Sequence, residues 1–171
     1  MNLDSMQEIV AAAKREGKPF WEIILETDMK NRGVSRGNSL DKMAQAWHVM
    51  REASQVYTGE RRSLSGLAGG QGKQMHDYAS TTPIGGEFMA QVIAEALSMG
   101  ESNACMRRVV AAPTAGACGV MPAVLIPLYW RENIPEEKML EAMFTASGIG
   151  AVIAYRACIS GAAGGCQAEI G

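Results

Sequence analysis

The chain has 171 residues, of which 47% are apolar and 20% charged, a balance that excludes a disordered or fibrous segment and suits one domain with its own core. A net charge of -2 argues against a nucleic-acid partner, because such proteins normally present a basic face. Four cysteines are too few for a disulfide scaffold, and the first residues lack the basic start and apolar run of a signal peptide. We therefore expect a cytoplasmic protein with reduced thiols.

Charged residues are unevenly distributed along the sequence. Residues 109–171 carry only eight of the 34 charged residues. Residues 109–130 carry none, and this uncharged stretch is long enough to span a membrane. Pro113, Pro122 and Pro127 would interrupt the backbone hydrogen bonds that a span requires, so we predict no membrane segment. We predict a single domain over residues 1–171, in which charged helices of residues 1–58 wrap a Gly/Ala-rich core of residues 59–171.

Three helices are predicted in the first part of the chain. The capping box Ser5-x-x-Glu8 begins a helix that runs to about residue 16 and ends at a glycine. A second helix covers residues 20–32 and also ends at a glycine. The pair Asn38-Ser39 offers an N-cap for a longer third helix. One face of that helix collects large side chains, namely Leu40, Met43, Trp47, Met50 and Tyr57.

The rest of the chain is predicted as helices joined by glycine-rich loops. Residues 59–85 are expected to form a loop, and a helix covers residues 87–99. The segment 108–111 is too short to be more than an edge-like strand or an extended link. Pro122 lies in the first turn of a helix to about residue 131, and Pro135 begins another to about residue 155. The predicted fold class is all-α with Gly-rich loops.

Two familiar kinds of site are excluded by their spacing. The glycine-rich stretch over residues 66–73 lacks both the glycine spacing of a phosphate loop and the hydroxyl that should follow its lysine. His48 and His76 are the two histidines of the chain, and they do not form a two-histidine zinc motif. We expect His48 at the surface or half-buried, and His76 in solvent.

The cysteines fall into two groups. Cys118 and Cys166 are each surrounded by glycine and alanine, which lets the backbone approach a ligand closely. Cys118 also lies just before a predicted helix start, where backbone N–H groups favour a thiolate. A metal ligand and a buried apolar residue both remain open for these two cysteines. Cys105 and Cys158 lack the glycine-rich surroundings, so for them we predict a buried structural role, or at least that they do not point into a cavity shared by Cys118 and Cys166.

At these residues the chain resembles a known family, the iron–sulfur-dependent L-serine dehydratases, specifically the α chain of the two-subunit bacterial type. The resemblance extends from about Ser63 to the last residue. Its motifs are Ser65-Gly66-Leu67 with Gly69-Gly70, the Asn103 segment, Ala112-Pro113-Thr114-x-Gly116, Pro122-Ala123-Val124-Leu125, Gly148-x-Gly150, Ile159-Ser160-Gly161 and Gly165-Cys166-Gln167-Ala168-Glu169-Ile170-Gly171.

The resemblance implies a [4Fe–4S] cluster, a β subunit as partner, and L-serine as substrate, which loses water to give pyruvate and ammonia. Cys118 and Cys166 match two of the three cluster ligands of the family, and the third is absent from this sequence. One iron then stays open for the substrate. The general base is not assigned.

The glycine-rich loops are expected to cradle the cluster and to bring substrate-binding side chains to it. Candidate substrate contacts are Thr114, Ser160, Lys73 and Arg108, each with a structural role as the alternative; Arg108 could pair with Glu101 instead. If both cysteines bind one cluster, the two helices between them form an antiparallel pair. Both sulfurs then face one cavity, lined by Thr114, Gly116, Ser160 and Gly165.

Two other interpretations stay open. The family places a further active-site segment in its β chain, and that segment is absent here, so the chain alone is expected to be inactive. One alternative is therefore a folded but inert helical fragment that only docks a β subunit. A lyase that uses pyridoxal phosphate would give the same products, but Lys73 lacks a convincing phosphate-binding loop.

Overall fold

The fold is helical throughout the part of the chain that the computed structural model describes, residues 5–81 and 83–164. Its α-helices are α1 (Met6–Glu16), α2 (Phe20–Arg32), α3 (Arg36–Gln55), α4 (Gln71–Ala79), α5 (Glu87–Ala104), α6 (Val120–Glu132), α7 (Glu136–Arg156) and the single turn α8 (Gly161–Gly164). A 3-10 turn covers Ala115–Ala117. These residues contain no β-strand, so the predicted all-α class is confirmed and residues 108–111 form an extended link.

Helix ends that carry a local signal in the sequence are where that signal predicts them. The Ser5 hydroxyl accepts a hydrogen bond from the Glu8 amide at 3.2 Å and begins α1. Gly17 and Gly33 end α1 and α2, both at φ 64°, a left-handed conformation in which glycine has no side chain to clash. The predicted bounds of these two helices are therefore confirmed.

Other helix bounds differ from the predicted ones. The third helix starts at Arg36, and its N-cap is Ser35, whose hydroxyl accepts from the Asn38 amide at 3.2 Å. The predicted N-cap at 38–39 is wrong because Ser35 offers the same chemistry one turn earlier. Helix α5 continues to Ala104, five residues beyond its predicted end. The predicted loop over residues 59–85 contains α4, whose origin becomes clear from the site described below.

The described residues group into two compact units. In the first, residues 5–47 and 135–164, α2 packs against both α1 and α7. Its core includes Ile9, Leu25 and Phe144, all fully or almost fully buried. A Cβ atom at Gly148 would lie 2.5 Å from Ile24 Cδ1, so the glycine lets α7 approach α2 closely. The prediction of one domain with a boundary near residue 58 stays a prediction.

The second unit contains residues 48–81 and 83–134, and α5 is its central helix because it packs against both α4 and α6. A Cβ atom at Gly119 would lie only 2.9 Å from the carbonyl oxygen of Ala96, so the start of α6 nearly touches the backbone of α5. Buried Ala90 and Ala94 add to the small side chains along α5. None of the described helices has both the length and the apolar character needed to cross a bilayer.

Leu25 tests the core of the first unit because its side chain is fully buried among the apolar side chains of that unit. We expect Leu25→Ala to lower the free energy of unfolding by about 2–5 kcal/mol through lost burial and the cavity left behind. Chemical denaturation monitored by circular dichroism measures this difference. The matched change Leu64→Ala, at a fully exposed leucine, should alter the value by less than about 0.5 kcal/mol. Equal effects of the two substitutions would contradict the packing described here.

Candidate functional site

A row of buried polar side chains runs along α5 in the second unit. Glu95, Ser98, Glu101 and Ser102 are all at most 6% exposed, although they lie in an otherwise apolar helix. They recur every three or four residues and therefore share one side of the helix. Burial of carboxylates is costly unless hydrogen bonds satisfy them, so their partners identify what this side of α5 does.

Glu101 binds the beginning of α4. Its carboxylate accepts hydrogen bonds from the backbone amides of Gly70, Gln71 and Gly72, at 2.8, 2.7 and 3.2 Å. The hydroxyl of Tyr57 donates a further bond to the same carboxylate. The first amides of a helix have no partner within the helix, and a negative charge there also matches the helix dipole. A residue 30 positions away thus caps α4, which is why the local sequence does not predict that helix.

Glycine is required where this segment meets its neighbours. A Cβ atom at Gly72 would lie 2.6 Å from the Ser98 hydroxyl oxygen and 2.7 Å from that of Tyr57. Gly69 has φ 133°, and a Cβ there would lie 2.2 Å from the carbonyl oxygen of Arg61. Gly69 and Gly72 therefore approach their neighbours at distances that no other residue type permits.

Tyr57 remains protonated throughout the ordinary pH range. Burial and the adjacent Glu101 carboxylate raise the pKa of Tyr57 to about 12. The phenol therefore donates to Glu101, and its oxygen accepts from the Lys73 amide at 3.1 Å. Tyr57 was predicted only as part of the apolar face of the third helix, and it lies two residues beyond the end of α3.

A cleft of about 410 Å³ opens beside Tyr57 and Glu101. Three arginines line it, together with acidic side chains and the thiol of Cys105; the charged residues are Glu52, Glu60, Arg61, Glu101, Arg107 and Arg108. Arg108 lies 3.8 Å from Glu52. The suggested pairing of Arg108 with Glu101 is wrong, because backbone amides and Tyr57 occupy that carboxylate instead.

A second, more open groove of the same unit contains His76 and Glu95. The Glu95 carboxylate accepts a hydrogen bond from the Ser54 hydroxyl at 2.9 Å, while its other oxygen is buried without a partner among the described residues. Burial raises the pKa of Glu95, and the Ser54 bond only partly offsets that rise. His76 is exposed, as predicted, and its Nε2 lies 3.3 Å from the Ser98 hydroxyl. His48 is also exposed, as predicted.

Three of the four predicted substrate contacts, Lys73, Thr114 and Ser160, occupy three different environments. Lys73 forms an exposed ion pair with Asp77 at 3.2 Å. The hydroxyl oxygen of Thr114 is buried and has no hydrogen-bond partner among the described residues. Ser160 is exposed, and its carbonyl accepts hydrogen bonds from the Ala163 and Gly164 amides of the short helix α8. Ser160 belongs to the first unit and the other two residues to the second, so their convergence on one site stays a prediction.

Cys118 lies directly before the N-cap of α6, as the sequence predicts, but its sulfur is enclosed. The residue is 1% exposed, packs with Ala53 and Met99, and its thiol donates to the Met99 carbonyl at 3.6 Å. Burial raises the pKa of Cys118 above that of an ordinary thiol, so this conformation favours the protonated form. The prediction that the helix start favours a thiolate is therefore wrong for the arrangement seen here, because desolvation has the larger effect.

A cluster ligand must be a thiolate, so Cys118 would have to lose the proton that its enclosed position favours before it could bind iron. Cys166 and Gly165 lie outside the described residues. Within residues 5–81 and 83–164, no three histidine, cysteine or acidic side chains come together as a metal site. Cys118 is the one predicted ligand within these residues, so the assignment of Cys118 and Cys166 to a cluster stays a prediction. The shared cavity and the antiparallel helix pair stay predictions, since α6 and α7 belong to different units.

Neither of the other two cysteines in the described segments is fully buried. Cys105, at the end of α5, is half-buried and lines the arginine-rich cleft, and Cys158 is exposed just after α7. The predicted buried role is wrong for both residues. Each cysteine follows a helix end, where the chain leaves the packed face of its helix.

Glu101 is expected to determine the stability of α4. The change Glu101→Gln removes the negative charge and one of the two acceptor oxygens, so buried amides of Gly70–Gly72 lose their partner. We expect the free energy of unfolding to fall by about 2–3 kcal/mol and these amides to exchange faster with solvent. Denaturation and hydrogen exchange measure the two effects. The control Glu60→Gln, at an exposed carboxylate, should change the stability by less than about 0.5 kcal/mol; unaltered exchange in the Glu101 variant would contradict the capping role.

The raised pKa of Glu95 predicts that the stability of the folded chain depends on pH. Because burial raises its pKa above 4.5 in the folded state, the folded chain binds this proton more tightly than the unfolded chain. The contribution of Glu95 is fully present below its unfolded pKa and is lost as pH rises through the raised one. Glu95→Gln keeps a neutral side chain, so its unfolding free energy should fall less between about pH 5 and about pH 8 than that of the parent chain. Glu87→Gln, at an exposed position, should follow the parent curve, and a Glu95→Gln curve parallel to it would refute the shift.

Comparison with known proteins identifies the family of the chain. The family model described as serine dehydratase alpha chain matches residues 15–171. The L-serine dehydratase alpha chain of Peptoniphilus asaccharolyticus is 33% identical over 175 residues, covering 99% of this chain and 59% of the relative. The probable L-serine dehydratase alpha chain of Bacillus subtilis (strain 168) is 31% identical over 168 residues, covering 98% and 56%. L-serine dehydratase TdcG of Escherichia coli (strain K12) is 47% identical over 77 residues, covering 44% and 17%.

No solved structure matches the chain. It spans somewhat more than half the length of the two alpha chains that it matches from end to end. The family match nevertheless covers the glycine-rich loop that Glu101 binds, the Thr114 segment and both Cys118 and Cys166. The resemblance inferred from the sequence motifs is thereby confirmed, and the chain belongs to the serine dehydratase alpha chain family.

Proposed function

We propose that this chain acts in the dehydration of L-serine to pyruvate and ammonia, as an alpha chain that works together with a β subunit. The observation that carries the proposal is the family match over residues 15–171. Because the chain spans only 59% and 56% of the two alpha chains named above, activity is proposed for the assembled enzyme and not for these 171 residues alone.

The reaction sets clear requirements for the site. A base takes the α-proton of serine, the electron pair forms the α,β double bond, and the β-hydroxyl leaves as water after gaining a proton. The resulting aminoacrylate tautomerises to an imine, which water hydrolyses to pyruvate and ammonia. Proton transfer by a positioned base typically contributes about 10²–10⁴-fold to the rate. The substrate carboxylate and hydroxyl must both be oriented for this transfer to occur.

Thr114, Lys73 and Ser160 are the proposed substrate contacts in this chain. The buried, unpartnered hydroxyl of Thr114 supports its role, since a substrate group can supply the missing hydrogen bond. Lys73 would exchange its exposed pairing with Asp77 for the substrate carboxylate, a pairing that costs little to break at the surface. The exposed hydroxyl of Ser160 is accessible to a ligand. The general base is left unassigned.

A [4Fe–4S] cluster remains part of the proposal, on the resemblance alone, with Cys118 and Cys166 as two of its ligands. The role requires Cys118 to lose its proton and its hydrogen bond to the Met99 carbonyl. A cluster is recognised by broad brown absorption of the anaerobic protein, whereas pyridoxal phosphate would give a resolved aldimine band. The two cofactors can thus be distinguished before any turnover is measured.

The test of the proposed function is turnover after anaerobic cluster reconstitution, with and without added β subunit. We expect pyruvate from L-serine only when both chains are present. Cys118→Ser should abolish both the brown absorption and pyruvate formation, while the matched change Cys158→Ser at an exposed thiol should preserve both. Absence of pyruvate from the reconstituted pair would overturn the proposal in favour of an inert fragment that only docks the β subunit. Pyruvate from this chain alone would overturn the requirement for a partner.

A further inference from the structure

Two arginines in the cleft beside Glu101, Arg61 and Arg107, lack the carboxylate partner that five other arginines of the described residues have. Arg15, Arg32, Arg36, Arg108 and Arg131 each have a carboxylate oxygen within 3.8 Å. The guanidinium groups of Arg61 and Arg107 have no acidic partner among the described residues, although both line a cleft that contains carboxylates. Arg107 is also half-buried, so part of its hydration is already lost. An anionic ligand would give both guanidinium groups a negatively charged partner, and it would also replace the hydration that Arg107 has lost.

The acidic residues of the cleft restrict the kind of anion that fits. Glu101 is occupied by three backbone amides and Tyr57. Glu60 has no side-chain partner in the described part of the chain, and Glu52 has only the long contact with Arg108. A phosphate would meet these carboxylates as like charges. A small ligand that carries both a carboxylate and an ammonium group would instead be complementary to the cleft as a whole.

The dimensions agree with such a ligand. The cleft volume of about 410 Å³ lies near the lower end of the range of small-molecule sites, roughly 300–1,000 Å³. Arginine presents parallel N–H donors whose spacing matches a carboxylate, so two guanidinium groups provide directional contacts. Tyr57 and Glu101 line the cleft and are held in place by hydrogen bonds to each other and to the first amides of α4, so this part of the site loses little entropy when a ligand binds.

We propose that this cleft binds a free α-amino acid as its zwitterion, with the carboxylate on Arg61 and Arg107 and the ammonium group near Glu52 and Glu60. The inference rests on the proposed function in one respect, because that function makes L-serine the amino acid to use as the first probe. The charged contacts themselves do not depend on any reaction, and neither Cys118 nor Thr114 is among the residues that line the cleft.

Calorimetric titration of the full 171-residue chain with L-serine tests the site. We expect the double substitution Arg61→Gln and Arg107→Gln to weaken binding by at least about tenfold, because it removes both guanidinium groups. Arg131→Gln, at an arginine outside the cleft in the same unit, should leave the affinity unchanged. The single substitutions at Arg61 and Arg107 give the same readout if circular dichroism finds the double variant unfolded. Unchanged L-serine affinity in the variants, or no binding to the parent chain, would overturn the site.

Two probe molecules separate the contributions of the two charges. Ethanolamine lacks the carboxylate and L-lactate lacks the ammonium group, so we expect each to bind at least about tenfold more weakly than L-serine. Equal binding of L-lactate and L-serine would overturn the zwitterion assignment.

Failure of the site and failure of the proposed function give different results. If the reconstituted pair of chains produces pyruvate but calorimetry finds no L-serine binding that depends on Arg61 and Arg107, the amino-acid site is overturned and the function stands. If the parent chain binds L-serine through Arg61 and Arg107 but the pair produces no pyruvate, the function is overturned and the site stands.

Discussion

The carboxylate of Glu101 is the contact on which the second unit depends. It joins the central helix α5 to the first turn of α4 through Gly70, Gln71 and Gly72, and to the chain after α3 through Tyr57. A buried carboxylate is tolerable only with several donors, and this one has four. The same bonds fix the side chains of Tyr57 and Glu101, both of which line the arginine-rich cleft. Local structure and the candidate ligand site therefore share one electrostatic origin.

The buried side chains of Cys118 and Glu101 have opposite kinds of hydrogen-bond partner. The Glu101 carboxylate is buried against backbone N–H donors, which compensate the charge for lost hydration. The Cys118 sulfur is buried against Ala53 and Met99 and donates to a carbonyl, so the neutral thiol is the compatible form. A position before a helix start is therefore insufficient to produce a thiolate. The surrounding side chains decide whether the backbone dipoles or desolvation has the larger effect.

The sequence predicts those parts of the fold whose signals are local. Ser5 with Glu8, Gly17 and Gly33 determine helix ends through chemistry within a few residues, and these ends are confirmed. Helix α4 was missed because its cap is supplied by α5, which no local pattern reports. From the sequence, Glu101 is predicted only as a partner for Arg108. No role is predicted for Arg61, Arg107 or Glu95. A usable signal existed for the α5 residues, since Glu95, Ser98 and Glu101 recur at helical spacing inside an apolar helix.

The long-range cap of α4 also has a consequence for how the chain folds and opens. A nine-residue helix is marginal by itself in water, and α4 has no side-chain cap from its own neighbours. Its formation must therefore follow the docking of α5, which makes α4 and the glycine-rich segment before it a single cooperative unit. Opening of that unit separates Gly70–Gly72 from Glu101 and the Lys73 amide from Tyr57, so two side chains that line the cleft lose their hydrogen bonds at the same time. Whatever molecule occupies the cleft will consequently be linked by mass action to the folding equilibrium of α4.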